Sequence, residues 1–287
     1  MEKLKIATWN VSCGIPAEWN LSNGIQKEKD YRKFGLIDEV INTINDKDID
    51  IIGLQESVAF RNGEKSYAQI ISENTNLKYY TEFVVSDCHL LENANIEEAV
   101  LSKYPITKSE NIMFENVNLF NTSKDGKTYK LFDDGFIIAN IQIKNDKSIN
   151  FITGHSPAFQ IFGKKPEEYG YVYKLLENEA KKCINSDTKT FIVGDYNTEE
   201  LFEMLPYLKN NFKNNIDGAT YFEGTSIDYI LSERDIKCLS NEKVKNLSDH
   251  FLCIADFQIN WGEAMIKAIF IDIDGTLSNS DKKTSWI

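Results

Sequence analysis

Arginine is almost missing from this chain. Only Arg32, Arg61 and Arg234 occur in 287 residues, and none lies beside the motifs described below. Planar bidentate clamps on phosphate are therefore scarce. Positive charge is short as well: 32 Lys plus Arg stand against 44 Asp plus Glu, for a formal charge of -12. Such a chain cannot grip a polyanion by bulk charge, so a phosphate substrate has to be met by local features, a divalent metal first among them. Cysteine is sparse and unordered. Cys13, Cys88, Cys183, Cys238 and Cys253 are odd in number and show no Cys-x-x-Cys spacing, which excludes a disulfide framework and a zinc-finger pattern. Cys183 and Cys253 lie in apolar patterns and read as small core residues. Cys88-His89 could bind a soft metal, but the sequence places no partner ligand nearby, so the pair reads as structurally neutral. No apolar run is long enough to span a bilayer, and the chain enters a strand at Lys3–Trp9 without a signal h-region. The expectation is a soluble, cytoplasmic monomer.

Apolar residues make up 42% of the chain, enough to bury a sizeable core in one large domain or two small ones. Strand-like runs, rich in β-branched and aromatic residues, occur at Lys5–Val11, Asp50–Leu54, Tyr79–Val85, Ala99–Leu101, Phe136–Ile143, Ile149–Thr153, Thr190–Val193, Ile227–Leu231 and Phe251–Ile259. Helical spacing puts Phe34, Ile37, Ile41 and Ile44 on one face, and Val172, Leu175, Leu176, Ala180 and Cys183 on another. Gly126 and Asn210–Asn215 read as surface loops. The mixture predicts an α+β sandwich of two mainly antiparallel sheets with helices outside.

Six strand junctions carry chemistry. They are Thr8-Trp9-Asn10, Leu54-Gln55-Glu56, Gly154-His155, Gly194-Asp195-Tyr196-Asn197, Ile227-Asp228-Tyr229 and Ser248-Asp249-His250. Singly, each has a structural explanation: an Asx turn, a cap, an edge-strand charge or a satisfied histidine. Together they hold two of the three histidines, both at strand–loop junctions, where sites are usually built. Phosphate-ester hydrolysis needs a hard cation, an activated water, and donors for developing charge. Glu56 with Asp195 or Asp249 can supply oxygen ligands, a histidine paired with a carboxylate can take a proton, and Asn10 and Asn197 can hold phosphate.

The ordered set, with Ser-Lys-Tyr-Pro-Ile at 102–106, resembles the endonuclease/exonuclease/phosphatase superfamily, and it spans residues 8 to 250. The resemblance implies a deoxyribonuclease I-like four-layer α/β/β/α sandwich over residues 1–259, with the site at one end of the two sheets. By matching position, Glu56, Asn10 and Asp249 would hold Mg²⁺, with Mn²⁺ as a substitute. Asp195 and Asn197 would orient nucleophile and phosphate, and His250, held by Asp228, would be the general base. His155 would assist the leaving oxygen, while Asn10, Asn197 and Lys103 would contact substrate. A histidine at 155 is similar to the deoxyribonuclease I, sphingomyelinase and deadenylase branches. Ser12-Cys13 and Lys103 depart from the usual motifs and bear on the substrate.

The implied activity is a phosphodiesterase, with DNA or RNA leading and a small phosphorylated molecule or lipid head group as the alternative. An inactive binding module that kept the fold is the alternative of another class. Phe159, Phe162, Lys164, Lys165, Tyr169, Tyr171 and Tyr173 follow the third junction and suit either base stacking or a self-packed lid. Residues 260–287 read as a linker and a truncated first strand. Ile271-Asp272-Ile273-Asp274-Gly275-Thr276 there resembles the first motif of haloacid-dehalogenase-type phosphatases.

Overall fold

Two six-stranded sheets stack face to face, each with helices on its outer side. The computed structural model describes residues 2–18, 35–122, 126, 128–144, 146–184 and 188–261. The expected positions Phe34 and Arg32, and the tail motif around Asp272 and Asp274, lie outside the described residues. Strands β1 (Glu2–Asn10), β2 (Ile51–Phe60), β3 (Tyr79–Asp87), β4 (Ala94–Ser102), β13 (Lys237–Val244) and β14 (Leu252–Ile259) form the first sheet, in the order β13-β14-β1-β2-β4-β3. The second sheet contains β5 (Ile106–Met113), β8 (Gly135–Lys144), β9 (Lys147–His155), β10 (Thr188–Asp195), β11 (Phe212–Asn214) and β12 (Asp228–Glu233). Its order is β11-β12-β10-β9-β8-β5. Each sheet has one parallel pair, β1 with β2 and β9 with β10, and is otherwise antiparallel. A hairpin of β6 (Phe120–Thr122) and β7 (Thr128–Lys130) stands apart, with Gly126 in its turn.

Period-two alternation divides the apolar side chains into layers. Leu4 and Ile6 of β1, Phe151 of β9, Phe191 and Val193 of β10 and Ile230 of β12 meet between the sheets. The alternate positions, Ala7 and Trp9, pack outward against helix α1 (Leu36–Lys47) and helix α2 (Tyr67–Asn74). On the far side, Ile152, Ile192 and Leu231 pack against α3 (Gly170–Cys183), α4 (Leu201–Met204) and α5 (Pro206–Asn211). Helix–sheet–sheet–helix is therefore the layer order. Gly53 lets the sheets close together: a Cβ there would lie 2.1 Å from Thr153 Oγ1.

Several elements escaped the pattern reading. β5 and β13 are edge strands exposed along most of their length, so neither carries an apolar alternation. Asn210–Asn215 is a helix end followed by β11 rather than a loop. Ser156–Tyr173 contains two 3-10 turns and the start of α3. There Phe159 is buried and stacks on Tyr169 at 4.3 Å, and Tyr173 is buried too, so these rings pack on themselves.

Candidate active site

Each apolar row between the sheets ends in a polar residue at the same edge. On β1 the inward row runs Leu4, Ile6, Thr8, Asn10; on β9 it runs Ile149, Phe151, Thr153, His155; on β10, Phe191, Val193, Asp195. Strand register then aligns the ends. Asp195 pairs with His155 on one side and Asp228 on the other, and Asn10 pairs with Gln55. A buried polar layer seals the row beneath: Thr8 Oγ1 donates to Gln55 Oε1 at 3.0 Å, and Gln55 Nε2 donates to Thr153 Oγ1 at 2.9 Å.

Glu56 joins the site by breaking the alternation. Register between β2 and β4 shifts between Leu54 and Ser57, and Glu56 takes φ 49°. A left-handed conformation costs a non-glycine residue about 1 kcal/mol, and such residues gather at functional sites. Ser12, Cys13 and Asn197 share it. Asn10 Nδ2 donates to both Glu56 Oε1 and Asp195 Oδ2, at 3.1 Å each. The Asn197 N–H donates to Asp195 Oδ1 at 2.9 Å, so the Asx turn expected of Asp-x-Asn is present, and both side chains still reach the site. Asn197 Nδ2 lies 2.9 Å from His155 Nε2 and donates to the Ser156 carbonyl. Its Oδ1 accepts from Gln160 Nε2 at 2.8 Å.

Both histidines are buried, and each sits between carboxylates. His250 Nδ1–H donates to Asp228 at 2.9 Å, leaving Nε2 to face Asp195 Oδ2 at 3.5 Å. Backing His155 is Asp134, whose Oδ1 lies 3.3 Å from Nδ1, an ion-pair distance without hydrogen-bond alignment. His155 Nε2 lies 3.4 Å from Asp195 Oδ2 and 4.0 Å from Glu56 Oε1. Burial is the largest single influence on His250 and opposes its charge, but Asp228, Asp195 and Asp249 outweigh it and raise the imidazole to about 10. His155 is likewise raised well above its usual value, against burial, by Asp134 and Asp195. Burial would also raise Asp195, yet His250, His155 and the Asn197 N–H hold it at about 2. Asp228 and Asp249 move upward, burial leading in both.

The carboxyl groups of Glu56, Glu98, Asp134, Asp195, Asp228 and Asp249 crowd this edge. Among the described residues no Lys or Arg forms an ion pair with any of them. Glu98 is fully buried with both oxygens unpartnered, and burial pushes its carboxyl well above the usual carboxylate range. An oxygen-rich donor set with no fixed cation fits a hard divalent ion. Ligating atoms of Asp195, Asp228 and His250 also lie within 4.8 Å of one another, but Asp228 already occupies His250 Nδ1, so this trio reads as a proton relay.

Most of the expected residues meet here: Asn10, Glu56, His155, Asp195, Asn197, Asp228 and His250 are linked by direct contacts, and Asp249 adjoins His250 and repels Glu56 electrostatically. Lys103 does not join them. It pairs with Asp48 at 2.6 Å and Asp50 at 3.0 Å, just before the start of β2, whereas Glu56 lies mid-strand. Six residues along a strand separate Asp50 from Glu56, on the order of 20 Å. The charge before Tyr-Pro-Ile thus serves a turn rather than the site. Nothing in the sequence marks Asp134 or Glu98 as site residues: Asp133-Asp134-Gly135 looks like a turn and Glu97-Glu98 like a solvated pair. The sequence places no ligand beside His89, yet a ring nitrogen lies within 4.8 Å of ligating atoms of Cys13 and Glu56.

No helix among the described residues is long and apolar enough to cross a membrane. Comparison with solved structures finds the same architecture. An endonuclease/exonuclease/phosphatase from Beutenbergia cavernae aligns with TM-score 0.67 at 12% identity, over 90% of this chain and 72% of that one. The catalytic domain of human Nocturnin with bound sulfate aligns with TM-score 0.62 at 17% identity, over 89% and 93%. D. rerio TDP2 complexed with single strand DNA product gives 0.61 at 14%, over 90% and 100%. No curated protein sequence matches the chain. The profile of one family covers residues 7–250, from β1 to His250. The chain belongs to the endonuclease/exonuclease/phosphatase family.

Proposed function

We propose that this protein is a divalent-cation-dependent phosphodiesterase whose substrate is a nucleic acid. The observation that carries the reading is the relay Asp228–His250–Asp195, which sits beside Glu56, Asn10 and His155 at one sheet edge.

Glu56, Asp249 and Asn10 would hold Mg²⁺, with Mn²⁺ as a substitute. The bound ion would polarise a phosphoryl oxygen and neutralise the carboxylate field that keeps His250 protonated. Asp228 fixes the Nδ1–H tautomer of His250, so Nε2 is the atom that takes the proton from attacking water. Asp195 Oδ2 lies against that nitrogen and can orient the water. On substrate binding Asn197 Nδ2 would turn the N–H that now faces His155 Nε2 to a phosphate oxygen, and Asn10 Nδ2 would exchange one of its two carboxylate acceptors for another. As the water oxygen bonds to phosphorus, the ester P–O bond breaks, and His155, kept cationic by Asp134 and Asp195, gives its proton to the departing oxygen. Buried, pre-aligned donors stabilise the charge that develops.

Nucleic acid leads because a structural relative is complexed with a single strand DNA product. The charge of -12 and the remote position of Lys103 favour a second reading, a small phosphorylated molecule or lipid head group. A panel of plasmid, single-stranded DNA, RNA, sphingomyelin and inositol phosphates with Mg²⁺ decides between them. Polynucleotide hydrolysis alone is expected, and Glu56→Gln should abolish both turnover and Mg²⁺ binding by calorimetry. Hydrolysis of the small esters alone would reverse the order. Undiminished turnover in Glu56→Gln would remove the mechanism.

A further inference from the structure

The two oxygens of Glu56 face different neighbours. Oε1 accepts from Asn10 on the side of His155, while Oε2 accepts from the Cys13 thiol at 3.7 Å. His89 completes a second group: one ligand atom each of Cys13, Glu56 and His89 lie within 4.8 Å of one another. We infer that Cys13, His89 and Glu56 Oε2 form a binding site for a thiophilic divalent cation of the Zn²⁺ class, bridged by the Glu56 carboxylate to the hard-cation position beside Asn10. The bridge rests on the cation position proposed above, whereas the Cys13, His89 and Glu56 Oε2 site stands on its own geometry.

The geometry is close to that of a bound ion. Ligands at roughly 2.3 Å for sulfur and 2.1 Å for oxygen, set tetrahedrally, stand about 3.6 Å apart, and the Cys13–Glu56 pair is at 3.7 Å. The His89 nitrogen, within 4.8 Å of both other ligand atoms, needs to close by at most about 1.4 Å to reach tetrahedral spacing. Two local anchors hold the donors. The loop after β1 is pinned where Tyr67 Oη donates to the Cys13 carbonyl at 3.3 Å, and Ser12 and Cys13 both adopt positive φ there. The turn that carries His89 is fixed by the Cys88 N–H donating to Ala94, and by the Leu91 N–H donating to Cys88 Sγ at 3.3 Å. The His89 ring leans on Phe132, 5.2 Å between centroids.

Donor type sets the choice of ion. One thiolate and one imidazole discriminate against Mg²⁺ and suit Zn²⁺, and three protein ligands leave a fourth position for water. Cys88 lies outside this shell and is hydrogen-bonded to Cys13, the usual place of a group that steadies a ligand. Cys13 Sγ donates to Glu56 Oε2, so without an ion this sulfur carries its proton. Ion uptake breaks the S–H bond, forms the metal–sulfur bond and releases one proton to solvent.

The test is a titration of the full chain, under reductant, with Co²⁺ alone. The expected result is a thiolate-to-cobalt charge-transfer band that saturates at one equivalent, is displaced by Zn²⁺ and survives excess Mg²⁺. Cys13→Ser should remove the band. His89→Ala, on a surface turn, should weaken Co²⁺ binding by about tenfold or more and keeps the test open if Cys13→Ser unfolds. A folded wild-type chain with no band overturns the site. So does a band that Mg²⁺ displaces, or one unchanged in either variant. None of these readouts involves ester hydrolysis, so this failure and that of the catalytic reading are separate.

Discussion

The imidazoles of His155 and His250 converge on a single oxygen. Each Nε2 lies against Asp195 Oδ2, at 3.4 and 3.5 Å, and each ring has its own carboxylate behind it, Asp134 and Asp228. The arrangement is near-symmetric in contacts and asymmetric in consequence. Asn197 and Glu56 flank His155, whereas Tyr221 covers the His250 ring at 4.8 Å between centroids. One imidazole is thus set beside the donors proposed for phosphate, and the other beside the position proposed for water.

If Asp228 acts by holding His250, the two form one unit. His250→Ala should lower kcat by roughly 10² to 10⁴, and Asp228→Asn by a large part of that. Combining them should add little to the loss from His250→Ala, as expected for residues that act together. Steady-state kinetics on the three variants, with circular dichroism as the folding control, gives the answer. Additive losses would separate the pair.

Lys103 gives a contrasting case. Its ion pairs with Asp48 and Asp50 lie just before the start of β2. Lys103→Ala should leave kcat/KM within about twofold and cost at most about 1 kcal/mol in a denaturant melt, the scale of a partly exposed pair. A large rise in KM would place it back on the substrate path.

Gly194 bears on stability beside the chemistry. It has φ 141°, and a Cβ there would sit 2.1 Å from the Gly154 carbonyl oxygen. β9 and β10 are paired at that point, so backbone would have to move. Gly194→Ala should destabilise by about 1–3 kcal/mol and misplace Asp195, lowering both Tm and turnover. An unchanged Tm would show that the strand pair yields freely.

Glu97 makes stability fall with pH. Burial, aided by Glu82 and against the Ser57 hydrogen bond, pushes its carboxyl from 4.5 up to about 8. Its folded value is raised, so the unfolded chain loses this proton first as pH rises. The contribution is full below pH 4.5 and declines through pH 8, by at most about 1.4 kcal/mol per pH unit. Glu97→Gln should flatten that limb in urea melts at a series of pH values. An identical slope in the variant would assign the dependence to other groups.

Much of the candidate site was legible in the residues because its side chains stand at strand ends or, for Glu56, at a bulge, where short motifs survive as contiguous letters. Asn10, Glu56, Asp195, Asn197 and His250 were readable for that reason, and so were the central strands, whose apolar runs are buried on both faces. Asp134, Glu98 and His89 were not. Each looks like a turn or surface residue in its own neighbourhood, and its partner lies on another strand. β5 and β13 failed for the complementary reason: exposure along an edge leaves no hydrophobic period to read.

Order along the polymer and the alternation of strands with a few amphipathic helices are properties of local pattern, and the amino-acid string determined them. Which atoms touch was decided by packing alone. The bulge that turns Glu56 inward, the register that sets Asp195 between His155 and Asp228, and the meeting of Cys13 with His89 all depend on long-range strand pairing. Pairing is chosen by the burial of the whole sheet face, a free energy spread over many residues and written at no single position.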